Sequence, residues 1–200
     1  MSIEELEMIA VKVYGEESEE VEMIKMHINS LNLLIDNGSI HNDFGLNDVE
    51  ILSLIMLEGF CYNIIQKPAF NKELLDEFSE ILVYELDAAL LKIPKTSSMK
   101  LYRQDKYHCG IPKVGDVLVF KGFFSTSKDD YNNTYNIKWI IMPLSNELTK
   151  AHDIYKVYNH GYNNYFPEWQ VEFERNTKFL VTQVENKNHY TEVYIKELQD

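Results

Sequence analysis

The sequence has no apolar run approaching the roughly 18 residues that a membrane-spanning helix needs, and its N-terminus is acidic where a signal peptide is basic. Both absences point to a cytoplasmic chain without a membrane segment. Cysteine is scarce: Cys61 and Cys109 are far apart and lack metal-ligand spacing, and the six histidines are scattered, so neither a disulfide nor a metal site is expected. Positive charge is short in one half only. Residues 1–95 hold 6 Lys and Arg against 19 Asp and Glu, while 96–200 hold 13 of each, so the formal net charge of −13 lies wholly in the first half. A surface of that sign repels phosphate backbones and disfavours nucleic acid as a partner. It reads as a solvated helical surface or as a docking face for a basic protein partner.

What is present divides in the same place. Ser2-Ile-Glu-Glu5 has the spacing of a capping box, and Ile3, Leu6, Ile9 and Val13 follow at helical intervals to about Tyr14. Ser18 caps a second helix whose apolar stripe, Val21, Ile24, Ile28, Leu31 and Ile35, ends at Asn37-Gly38. Asn47-Asp-Val-Glu50 repeats the capping signal for an apolar helix expected to reach Gln66, before Lys67-Pro68. A fourth helix is expected from Asn71 to Ile93-Pro94.

Beyond Ser98 the periodicity changes from about 3.6 to about 2, and aromatic residues become dense. Strands are expected at 99–103, 117–124, 136–143, 169–174, 177–184 and 190–197, mostly in antiparallel pairs. The fold class is therefore α+β: a helical lobe, 1–95, and a β-rich lobe, 96–200, within one compact unit.

Three stretches of the second half carry polar groups to strand ends. Met99-Lys-Leu-Tyr-Arg103 ends in an arginine; Val117–Phe124 runs into Ser125-Thr126-Ser127; and Pro167-Glu168-Trp169-Gln170-Val171-Glu172 brings acids into a strand that continues toward Thr177-Lys178-Phe179. Singly each has an ordinary reading: Arg103 paired with Asp105, Ser125 as a turn hydroxyl. In this order they resemble the mono-ADP-ribosyltransferases, in the branch marked by Arg, Ser-Thr-Ser and Glu-x-Glu. The resemblance spans Leu101 to about Val181.

The resemblance implies a fold with NAD bound between a helical wall and the β lobe, and transfer of ADP-ribose from NAD to a protein side chain through an oxocarbenium-like transition state. It implies that Arg103 grips the phosphates, that Ser125 supports the ribose with Thr126 and Ser127 behind it, and that the second carboxylate of Glu-x-Glu opposes the developing positive charge. Family members place about nine residues between that carboxylate and the Phe of the next strand. Nine back from Phe179 is Gln170, so the motif reads Glu168-Trp169-Gln170, with glutamine at the catalytic position, an inactive chain, and Glu168 as the mark of an arginine acceptor. A second register, Gln170-Val171-Glu172, leaves seven residues to Phe179 and gives the Gln-x-Glu form that modifies residues other than arginine. The first register is adopted as the expectation. Tyr162, Tyr165 and Trp169, in and beside a loop rich in Asn and Gly, are the expected target-recognition residues. A toxin, an effector or a phage protein all fit the resemblance. The alternative from another class is a catalytically silent module that holds a partner.

Overall fold

The computed structural model describes residues 1–59, 62–106, 110–130, 135–158 and 169–199. The chain divides into two compact units: Met1–Ile93 with, among the described residues, 156–158; and 94–155 with the residues from 169 onward. No helix among the described residues is long and apolar enough to cross a membrane.

Among the described residues the first unit holds five α-helices: α1 (Ile3–Tyr14), α2 (Glu19–Asp36), α3 (Asp48–Glu58), α4 (Tyr62–Phe70) and α5 (Glu77–Lys92). Their starts follow the capping chemistry. Ser2 Oγ accepts from Glu5 N and Glu5 reaches back to Ser2 N at 2.8 Å; Asn47 and Glu50 repeat the exchange at 2.9 and 2.7 Å. Helix α3 is buried from Val49 to Leu57, and it packs against α1, α2, α4 and α5, which explains why its sequence is apolar on every side. It stops at Gly59 rather than reaching Gln66. A Cβ there would come within 2.2 Å of the His27 ring, so only glycine lets the helix end pass that close. Two other expectations also need correcting. Pro68 falls inside α4, and Asn71 starts only a 3-10 turn, Lys72–Leu74, because the stronger cap is Asp76, which accepts from Ser79 N at 2.7 Å.

The second unit is one mixed sheet in the order β2-β7-β8-β4-β1-β3-β6-β5. Its strands are β1 (Leu101–Asp105), β2 (Val117–Phe120), β3 (Phe124–Ser127), β4 (Ile137–Met142), β5 (Ala151–His152), β6 (Gln170–Phe173), β7 (Thr177–Asn186) and β8 (Thr191–Glu197). The β4–β8 pair is parallel and the other named pairs are antiparallel. One face carries the core: Trp139, Phe124, Phe173 and Phe179 are fully buried, with Leu101, Val171, Val193 and Ile195 around them. Phe124 stacks on Phe120 at 3.9 Å and meets Phe179 edge-on at 5.6 Å, each ring burying enough area to contribute roughly 2–3 kcal/mol. The expected single strand over 117–124 is two strands, β2 pairing with β7 and β3 with β6, separated by Lys121-Gly122-Phe123.

Candidate active site

Ser-Thr-Ser does not follow a strand; it is one. In β3 the side chains alternate, so Phe124 and Thr126 face the core while Ser125 and Ser127 face the other way. Thr126 donates its hydroxyl to the Val171 carbonyl at 2.7 Å, which pins β3 to β6. The Thr126 hydroxyl is thus engaged within the sheet. Across the ladder Ser125 pairs with Glu172 and Ser127 with Gln170. Cross-strand partners share a face, so Ser125, Ser127, Gln170 and Glu172 form one polar patch on the side opposite the aromatic core. The residue facing Ser125 is thus Glu172, where the adopted register had Gln170.

The Glu172 carboxyl is fully buried, and neither of its oxygens has a hydrogen-bond partner. Burial dominates its ionisation and pushes its pKa up to about 8. Ser125, the Arg103 charge and Gln170 lie near enough to pull the other way, but none closes a hydrogen bond to it. Glu197 shows what a buried structural glutamate looks like in the same unit. Its carboxylate accepts from Leu144 N at 2.8 Å, Thr149 Oγ1 at 2.6 Å and Lys150 N at 2.7 Å. Buried polar groups normally find partners, so the unsatisfied Glu172 is the exception that calls for a functional reason.

Arg103 reaches this patch from behind. Tyr102 is the cross-strand partner of Ser127, so alternation places Arg103 on the core side, where its guanidinium lies 5.1 Å from the centre of the Phe124 ring. Nε and Nη2 donate to the two oxygens of Asp105 at 2.8 and 2.9 Å, and Nη1 donates to the Ser125 carbonyl at 2.9 Å. Trp139 Nε1 also donates to Asp105, at 2.9 Å. The ordinary reading of Arg103, a pair with Asp105, is present, and the same guanidinium holds the Ser125 carbonyl directly.

Gln170 is buried beside Glu172, and Trp169, just before it, is 41% exposed, its ring edge-on to Tyr155 at 4.9 Å. The Trp169 carbonyl accepts from Lys128 N at 3.0 Å, which ties the start of β6 to the end of β3. Glu168, Tyr162 and Tyr165 lie outside the described residues, as do both cysteines. One neighbour went unread in the sequence. His152 on the two-residue strand β5 is the partner of Glu172 on its other side, and its Nε2 lies 2.9 Å from Glu174 Oε1. A strand that short leaves no periodic signal. Among the described residues no cluster of His, Cys, Asp and Glu is arranged to hold a metal ion.

No protein-family model and no curated protein matches the chain by sequence. Solved structures do match its fold. The Vis toxin of Vibrio splendidus, an ADP-ribosyltransferase, matches at TM-score 0.57 with 17% identity over 92% of this chain and 87% of its own. The fold is that of the ADP-ribosyltransferases. The type III effector XopAI of Xanthomonas axonopodis pv. citri aligns at TM-score 0.66 with 15% identity, over 98% of this chain and 87% of the truncated effector. Exoenzyme S of Pseudomonas aeruginosa, solved with human 14-3-3 protein beta and carba-NAD, aligns at TM-score 0.62 with 17% identity, over 98% and 88%. At these identities the likeness is one of fold. The mixed eight-stranded sheet and the five helices account for it.

Proposed function

We propose that this chain transfers ADP-ribose from NAD to a protein side chain, with Glu172 as the catalytic carboxylate. The observation that carries this reading is a fully buried carboxylate with two unpartnered oxygens, set opposite Ser125 in an ADP-ribosyltransferase fold. Two free acceptor oxygens suit the two adjacent hydroxyls of a ribose. Carba-NAD in the Exoenzyme S structure supports NAD as the co-substrate.

In this reading the bond between ribose C1′ and nicotinamide breaks, and its electron pair leaves with the nicotinamide nitrogen. Positive charge then develops on the ribose, and ionised Glu172 opposes it in a site where water does not screen the interaction. NAD prepares that ionisation itself, because its cationic nicotinamide ring beside the carboxyl favours the charged form. Ser125 orients the carboxylate and Arg103 fixes Ser125. A nucleophilic side chain of the target then attacks C1′ and gives up its proton. This division of labour replaces the phosphate grip first assigned to Arg103.

With Glu172 in the catalytic role, Gln170-Val171-Glu172 has the Gln-x-Glu form, and the chain is active as it stands. We assign the acceptor as a side chain other than arginine, since the neutral amide of Gln170 can hydrogen-bond an acceptor but cannot take a guanidinium proton. Trp169, half exposed beside Gln170, belongs to the surface that receives the target. Its structural neighbours include a toxin and a type III effector, which supports the same kind of role here. The acidic helical unit is the proposed docking face for a basic protein.

The test is nicotinamide release from NAD, followed by chromatography, with and without agmatine as an arginine analogue. Release without ADP-ribosyl-agmatine supports the proposal. Calorimetric binding of NAD without release would leave a silent binding module.

A further inference from the structure

Beside Glu172 stands an imidazole that could pair with it and does not. His152 is the cross-strand neighbour of Glu172 on β5, on the side away from Ser125, and it is 2% exposed. Neighbours in this position hold their Cβ atoms about 4.5–5.5 Å apart, within reach for a histidine and a glutamate. Yet the Glu172 oxygens have no hydrogen-bond partner, while His152 Nε2 lies 2.9 Å from Glu174 Oε1. Glu174 is the next outward residue along the chain from Glu172, more exposed than the site and held in its ionised form mainly by that contact with His152. An ionised carboxylate only accepts, so the proton of this bond is on Nε2.

We infer that Glu174 is a positioning residue that draws the His152 imidazole away from Glu172, keeping the catalytic carboxylate unpaired for the ribose. The inference rests on Glu172 being catalytic. Its chemistry is competition: one N–H donor, bonded to Glu174 while its cross-strand neighbour Glu172 stays unpaired. Take Glu174 away and the buried Nε2–H loses its acceptor, which buried donors rarely tolerate. Glu172 is the acceptor beside it. A carboxylate paired with an imidazole N–H is a weaker partner for a ribose cation, so turnover falls while binding of NAD is retained.

The experiment is a double-mutant cycle on nicotinamide release. Glu174→Ala should lower kcat by at least about fivefold with KM for NAD within about twofold. Adding His152→Phe should bring kcat back up to the level of His152→Phe alone, because the competing donor is gone. A purely supporting role for Glu174 gives the opposite, a double variant no faster than Glu174→Ala, and that result overturns the inference. Nitrogen NMR of the His152 imidazole gives a reading independent of turnover and of how His152→Phe folds. In Glu174→Ala the ring should keep a hydrogen-bonded N–H, now sensitive to Glu172→Gln; a ring shift indifferent to Glu172→Gln overturns the inference too. A wild type that releases no nicotinamide contradicts the proposed function instead, and leaves the NMR comparison to decide where the imidazole points.

Discussion

Ser125 on β3 is the cross-strand partner of Glu172 on β6, and the carboxylate it faces is fully buried with no hydrogen-bond partner. A group kept that way costs stability, and in the proposed function that cost serves catalysis.

Stability should depend on pH through Glu172. Its folded pKa, about 8, lies above the ordinary value of 4.5, so between these pH values the native carboxyl keeps a proton that the unfolded chain has lost. The contribution is fully present below about pH 4.5 and is lost as pH rises through about 8. Denaturant unfolding at pH 5.5 and 8.5 should show wild type losing stability over that interval and Glu172→Gln losing less. Equal losses would mean that the carboxyl ionises normally in the folded state.

Glu197 should respond in the opposite sense from Glu172. Its carboxylate holds Leu144 N, Thr149 Oγ1 and Lys150 N, so Glu197→Ala strands three donors and should cost about 3 kcal/mol. Thermal melting would check it. A variant as stable as wild type would remove the contrast between the two buried glutamates.

Arg103 should affect turnover more than binding. Arg103→Lys keeps a charge but loses the fork that holds Asp105 and the Ser125 carbonyl at once, so kcat should fall by roughly tenfold or more while the Kd for NAD changes little. Stability should drop by about 1–3 kcal/mol, since the substitution takes the bidentate guanidinium from Asp105 and leaves it the Trp139 N–H. A large loss of NAD affinity with kcat unchanged would instead return Arg103 to the phosphates.

Trp169→Ala should reduce modification of a protein target while leaving NAD hydrolysis within a few-fold, because the ring is 41% exposed and packs on Tyr155. Parallel assays of labelled target and free nicotinamide would separate these. Equal losses in both would place Trp169 in the support of the site.

Much of the fold was legible because its signals are local. The capping boxes at Ser2 and Asn47 are satisfied bond for bond, and the alternation of β7 and β8 shows in the sequence. What failed depended on contacts far along the chain. Only glycine at position 59 lets the end of α3 pass the His27 ring, and nothing near residue 59 announces that. The register adopted from the sequence and the one proposed from the ladder differ for a related reason. Counting nine back from Phe179 presumes a longer link than this chain has: β6 ends at Phe173, β7 begins at Thr177, and the three residues between turn tightly with Asn176 at φ 63°. In the ladder the glutamate opposite Ser125 is therefore at position 172, while position 170 lies opposite Ser127. The Arg103 and Ser-Thr-Ser stretches were found by order alone, but which side of the sheet each occupies came only from the pairing of Tyr102 with Ser127.

The most direct measurement compares nicotinamide release by wild type, Glu172→Gln, Gln170→Ala and Gln170→Glu. With Glu172 as the catalytic carboxylate, wild type hydrolyses NAD, Glu172→Gln falls by about 10²–10³, the usual size of one preorganised electrostatic group, and Gln170→Ala stays within a few-fold. A silent wild type that gains hydrolysis through Gln170→Glu, with Glu172→Gln then changing nothing, would place the catalytic position at 170 and contradict the assignment.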